Sequence, residues 1–178
     1  MGNINNLVGY VDSNVIRGTY PGSVAVPIRE LLYQDGNYNV QPITSLVTSG
    51  NSTTDMANFS AAFIGVSHER KVSTDVAGTI DVDRTAVFQA QCPALAAAVP
   101  VGSLVSAVPG VSTALQSQMV QPNSSANQAI GYVIEAAPAG QTFLKVMFFS
   151  NVVPAVLSGS STQAIYNQHK LFLQDLQF

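Results

Sequence analysis

Between Arg84 and Glu135 the chain carries no charged residue, and Pro93, Pro100 and Pro109 cut this stretch into short pieces. Proline removes a backbone donor and clashes with the preceding turn of a helix. No long helix can therefore run through "CPALAAAVPVGSLVSAVPGV" (Cys92–Val111). A membrane-spanning helix needs about 20 strongly apolar residues. Here many of the apolar residues are only alanine, and the prolines interrupt every possible span. The segment that follows, "NQAIGYVIEAAPAGQTFLKVMFFSNVV" (Asn127–Val153), has two apolar runs hinged on Pro138-Ala139-Gly140. It predicts strands over 129–136 and 142–149, a closing hairpin.

Other stretches also read as strands. Asp35-Gly36 in "YQDGNYNV" is a hairpin signal and predicts strands near 30–34 and 37–41. Thr79, Asp81 and Asp83 alternate with Ile80, Val82 and Arg84, the period of a half-buried strand. Val87–Gln91 and Val101–Val108 read as further strands, and Thr44–Ser60 as a polar loop of turn formers. Two segments echo each other: Phe63-Ile64-Gly65-Val66 before Ala77-Gly78, and Ala129-Ile130-Gly131-Tyr132 before Ala139-Gly140. A glycine inside a strand marks a bulge, a bend or a close backbone approach.

Residues 1–22 read as an extended arm. The tail "SGSSTQAIYNQHKLFLQDLQF" has a capping-box pattern at Ser160–Gln163, with Ile165, His169, Phe172 and Leu176 at helical spacing. It reads as a helix or a second arm. The expected class is all-β: a single small β-barrel or β-sandwich domain with an extended N-terminal arm and a short C-terminal helix or arm. The expected division is 1–58, arm and hairpin extension; 59–153, core; 154–178, C-terminal arm or helix.

Only 10% of the 178 residues are charged, against about 25% in ordinary soluble domains. A surface of hydroxyls and amides desolvates cheaply, and protein interfaces are depleted in Lys, Glu and Asp. The same composition also fits a bland, well-buried β domain. A net charge of -3 leaves no basic footprint for nucleic acid. The lone Cys92 allows no intrachain disulfide and reads as a small buried thiol. No basic run followed by an apolar run opens the sequence, so no secretory leader is expected.

Catalytic patterns are sparse. His68 stands beside Glu69 in "SHERK", but neighbouring strand residues point to opposite faces, so the two would not face each other. The stretch reads as a solvated hairpin end, and His169 as a packed or interface histidine. Asp81 and Asp83 would share a strand face, about 6.6 Å apart. With Asp75 they offer the oxygens that Ca²⁺ prefers; Lys71 and Arg84 offer simple charge balance instead. Gly-x-Ser-x-Gly, Walker A, Gly-x-Gly-x-x-Gly and His-Glu-x-x-His do not occur in the sequence. No enzyme, cofactor or metal is expected.

Four stretches carry a family likeness: "AAFIGVSHE", "VAGTIDVDRTAVFQA", "VPVGSLVSAV" and "NQAIGYVIEAAPAGQTFLKVMFF". The last fits best, at Ala129, Ile130, Gly131, Ala137, Ala139, Gly140 and Val146. Through these, roughly half of the chain resembles the capsid decoration (cement, head-stabilising) proteins of tailed bacteriophages. The resemblance implies a non-enzymatic virion protein on the capsid exterior, assembled in the host cytoplasm. It would bind the major capsid protein and stabilise the shell, as a homo-oligomer with a trimer favoured, without nucleic acid or membrane. The flanking extensions then become candidate contact arms, through Ile4, Leu7, Tyr10, Ile16 and Tyr20, and through Ile165, Phe172, Leu176 and Phe178. A tail, fibre or baseplate module is the alternative, and a β-barrel enzyme or ligand binder a further one.

Overall fold

The computed structural model describes residues 15–110 and 114–152. In chain order its elements are β1 (Val15–Tyr20), β2 (Leu31–Gln34), β3 (Val40–Pro42), α1 (Ser52–Ala62), β4 (Phe63–Ser67), β5 (Gly78–Asp83), β6 (Thr85–Gln91), β7 (Leu104–Pro109), β8 (Leu115–Pro122), β9 (Gly131–Val133) and β10 (Phe143–Phe149). Short 3-10 turns sit at Ile43–Ser45 and Ala126–Gln128. The class is all-β.

Five strands form one sheet in the order β1-β5-β4-β2-β3. The other five pair as β10-β6-β8-β7-β9, and β9 returns to β10, so their pairings form a ring. The ring is unevenly laced. β10 pairs with β6 over seven residues, from Phe143↔Gln91 to Phe149↔Thr85, whereas β6 and β8 share only Gln91↔Met119.

Period-two alternation sorts the side chains of β10 and β2 between core and outside or between the two cores, while a register shift in the β2–β4 ladder lets Phe63 and Val66 share one core. In β10, Leu144, Val146 and Phe148 are buried while Phe143, Lys145, Met147 and Phe149 are half-buried. β2 and β4 are buried on both faces. Leu32 and Ile64 enter a small core with Tyr20, Val26, Val40, Ile80 and Val82. Leu31, Tyr33, Phe63 and Val66 point the other way, into a larger core filled by β6 to β10 and α1. Aromatic rings link the two halves: Tyr33–Phe59, Phe59–Phe63, Phe63–Phe148 and Phe88–Phe148 have centroids 6.2, 5.6, 6.2 and 6.2 Å apart. These separations fall in the favoured range for aromatic pairs.

The expected hairpin at Asp35-Gly36 is present. β2 and β3 pair from Leu32↔Pro42 to Gln34↔Val40. The Asp35 carboxylate ties the turn, accepting from the Asn37 and Asn39 amides, both at 2.9 Å. The predicted pair at 129–136 and 142–149 forms too, shortened on its first side to β9, with Val146↔Val133.

Three expectations change. The stretch 44–60 is not a polar loop: it holds a 3-10 turn and then α1. Asn51 caps that helix, its side-chain oxygen accepting from Thr53 N (3.0 Å) and Thr54 N (3.2 Å). Met56 and Phe59, one turn apart, carry the helix into the larger core. Residues 15–20 are not an arm, because β1 pairs with β5 along its full length. A division at 58/59 would cut α1 and split the first sheet, whose strands come from both sides of that point.

Candidate interaction surface

Of the nine interface candidates, two fall within the described residues. Ile16 is half-buried against the smaller core. Tyr20 is only 1% exposed, and its hydroxyl donates to Val24 O at 2.6 Å. It is a core residue and cannot serve as a surface contact. Ile16 and Tyr20 lie on the face of β1 that packs on the sheet's own core. Ile4, Leu7, Tyr10, Ile165, Phe172, Leu176 and Phe178 lie outside the described residues, as does His169.

The charged side chains of the first sheet engage one another. Arg17 Nε meets Asp81 Oδ1 at 3.1 Å, and Lys71 Nζ meets Glu69 Oε2 at 3.1 Å. His68 and Glu69 lie in the bend just past β4 and take different partners. Glu69 accepts from Asp81 N at 3.0 Å, whereas His68 Nδ1 reaches Asp83 Oδ2 at 3.1 Å. Asp75 turns away to accept from Val72 N at 2.8 Å. The three aspartates therefore do not converge, and no cluster of three or more metal-ligating side chains occurs among the described residues. Ser67, beside His68, is committed: its Oγ donates to Pro27 O at 2.7 Å and accepts from Glu30 N at 2.8 Å. Cys92 is buried, and burial pushes its thiol up, away from the reactive thiolate.

The ring half has a different surface. From Thr85 to Val152 the described residues include one acid and one base, Glu135 and Lys145. They pair at 3.0 Å, so this half exposes no unbalanced charge. Both lie in an open groove of about 310 Å³ on the outer side of β6 and β10, beside Gln89, Gln141 and Phe143. The remaining polarity is hydroxyl and carboxamide, a surface that sheds water at low cost. Exposed large apolar side chains, such as Val47, Val76 and Val101, are scattered along the chain.

One functional-looking residue went unread in the sequence. Glu30 is 0% exposed at the junction of the two halves. Its Oε1 accepts from Leu31 N (3.1 Å) and Gln118 N (3.4 Å), and its Oε2 takes the Ser117 hydroxyl. Burial raises its carboxyl above the usual carboxylate range, against the lowering effect of these hydrogen bonds. Arg29 and Gln118 flank it with left-handed φ angles of 62° and 57°, each costing on the order of 1–3 kcal/mol outside glycine. The signal was available: Glu30 is a single acid wedged before the apolar run Leu31-Leu32-Tyr33.

No protein-family model matches the chain, and no curated protein does. Among solved structures the chain is similar to the crystal structure of the head fiber gp8.5 N base of bacteriophage phi29. The identity is 14% and the TM-score 0.34, over 79% of this chain and 99% of that one. At that level the likeness is too loose to carry residues or topology across.

Proposed function

We propose that this chain is a structural protein of a tailed-phage virion, of the decoration type. It docks on the outside of an assembled capsid and stabilises it without catalysis. One observation carries the reading: the whole ring half presents a neutral surface whose two charges cancel at 3.0 Å. A partner can cover such a surface without stripping water from unpaired ions. On a symmetric shell many weak contacts add through avidity, above all if the chain is itself a trimer. The sequence resemblance to decoration proteins supports the same reading.

Co-sedimentation of the purified chain with expanded capsids of the matching phage tests it. Binding to shells but not to unassembled coat protein is the expected result. Because the contact is largely uncharged, raising salt from about 0.1 to about 0.5 M should leave it nearly unchanged. Failure to bind shells at either salt concentration overturns the reading. Density for the chain on a tail or baseplate in a particle map assigns it to the alternative class.

A further inference from the structure

The shortest pairing in the ring is between β6 and β8, and Glu30 hydrogen-bonds to β8 beside it. β6 and β8 share a single bridge. Along the seam lies a cleft of about 20 Å³ lined by Leu31, Phe88, Val120 and Phe148, with Arg29 and Gln118. The segment before β2 is stitched to β8 at this point. Gln118 Nε2 donates to Ile28 O at 2.6 Å, Gln118 N donates to Glu30, and Ser117 hydrogen-bonds the same carboxyl group.

We propose that Glu30 is a proton-held clasp: protonated, it fastens β8 to the first sheet and shuts the β6–β8 seam; ionised, it lets β8 part from the sheet. In the protonated form Oε1 keeps its two backbone donors while the Oε2 proton is shared with Ser117 Oγ, so every polar atom is satisfied. In the ionised form a full charge sits at 0% exposure with only neutral hydrogen-bond donors. A buried charge without a counter-ion is costly, and hydration of the carboxylate through the opened seam relieves it.

The titratable groups on the elements packed around Glu30 are few. β6 and β8 contain none. Arg29, next to it, holds its guanidinium over the Phe88 ring at 5.7 Å. Tyr33 lies in β2, its phenol pushed up by burial. His68, just past β4, is bound to Asp83. The sign follows from burial raising the Glu30 carboxyl above 4.5. The clasp is fully effective below that value and is lost as pH rises through the higher folded-state value.

Amide hydrogen exchange of the full-length chain, corrected for intrinsic rates, reads the clasp between about pH 4 and about pH 8. Protection of β8 amides should fall as pH rises, by up to about tenfold per pH unit within the window, while β10 stays constant. Glu30→Gln keeps an acceptor for the two amides and donates to Ser117, so β8 should stay protected at every pH. Ser117→Ala removes the hydroxyl that shares the Oε2 proton, so β8 protection should already be reduced at the acid end of the range. Flat β8 protection in the unaltered chain overturns the proposal, whether or not Glu30→Gln folds. So does pH dependence that survives Glu30→Gln but disappears in His68→Gln, which would assign it to the His68–Asp83 pair.

Discussion

Gly65 is the position where one added methyl group should do the most damage. It lies inside β4 with φ at 145°, backbone that L side chains rarely adopt. A Cβ there would stand 2.3 Å from Asp83 O and 2.9 Å from both Asp83 C and Val82 Cγ1. Ordinary contact begins at 3.4 Å, so the overlap with the carbonyl exceeds 1 Å. The carbonyl cannot simply retreat. Asp83 is in register with Val66 of β4 on one side and Val15 of β1 on the other, so moving it disturbs two ladders. The backbone conformation costs roughly 1–3 kcal/mol, and the overpacking roughly another 1–3. Gly65→Ala should therefore lose about 4 kcal/mol, which lowers Tm by about 8–16 °C in a chain of this size. Thermal unfolding followed by circular dichroism measures it, with Gly36→Ala as control. A Cβ on Gly36 meets nothing within 4 Å and its φ is not positive. That variant should hold its Tm or gain slightly. If Gly65→Ala melts within about 2 °C of the unaltered protein, the steric account of β4 is wrong.

Two further substitutions test the cores and the hairpin. Phe59 is 0% exposed and packs against both Tyr33 and Phe63; Phe59→Ala should cost about 3–5 kcal/mol, read by urea titration. Asp35→Ala removes four hydrogen bonds, to the Asn37 and Asn39 amides and the Asn39 and Gln41 side chains. It should lower stability by about 1 kcal/mol at neutral pH. Burial would raise the Asp35 carboxyl, but these bonds outweigh it and hold it below 3.8. Its contribution is therefore present above 3.8 and lost as pH falls through the lower folded value, so the variant and the unaltered protein should converge in acid.

How much was legible in the sequence depended on whether the deciding signal was local. β10 could be read because every second residue of "FLKVMFF" enters the core, and the first hairpin because Asp35-Gly36 fixes its own turn. The echo between the Gly65 and Gly131 segments had a physical basis as well. A Cβ on either glycine would meet a neighbouring strand's carbonyl, Asp83 O at 2.3 Å or Met147 O at 2.5 Å. α1 was hidden because "STTDMANFSAA" is rich in turn-forming residues and shows only Met56 and Phe59 as large apolar side chains. Its helical state depends on the Asn51 cap and on a core assembled from distant strands. The candidate surface was half legible. The empty charge pattern after Arg84 was visible, but the Glu135–Lys145 pair that completes its neutrality needed the register of β9 and β10.

Tyr20 and Glu30 were misread or missed for one shared reason: each is defined by an element far away in sequence. Tyr20 resembles a contact residue until Val72 O, 52 residues on, also accepts its hydroxyl at 3.3 Å. Glu30 resembles a solvated acid until Ser117, 87 residues on, closes over it. Both contacts join the N-terminal strands to the rest of the chain, so the segment expected to be an appendage is part of the framework. That placement removes Tyr20 from any docking role, and two places remain to be told apart: the neutral face of the ring, and the flanking sequence outside the described residues. The two separate experimentally. Exchanging Ile4, Leu7 and Tyr10 for serine changes no residue of the ring itself. If shell binding then persists at full strength, the ring carries the contact; if it falls at least tenfold with Tm unchanged, the N-terminal residues do.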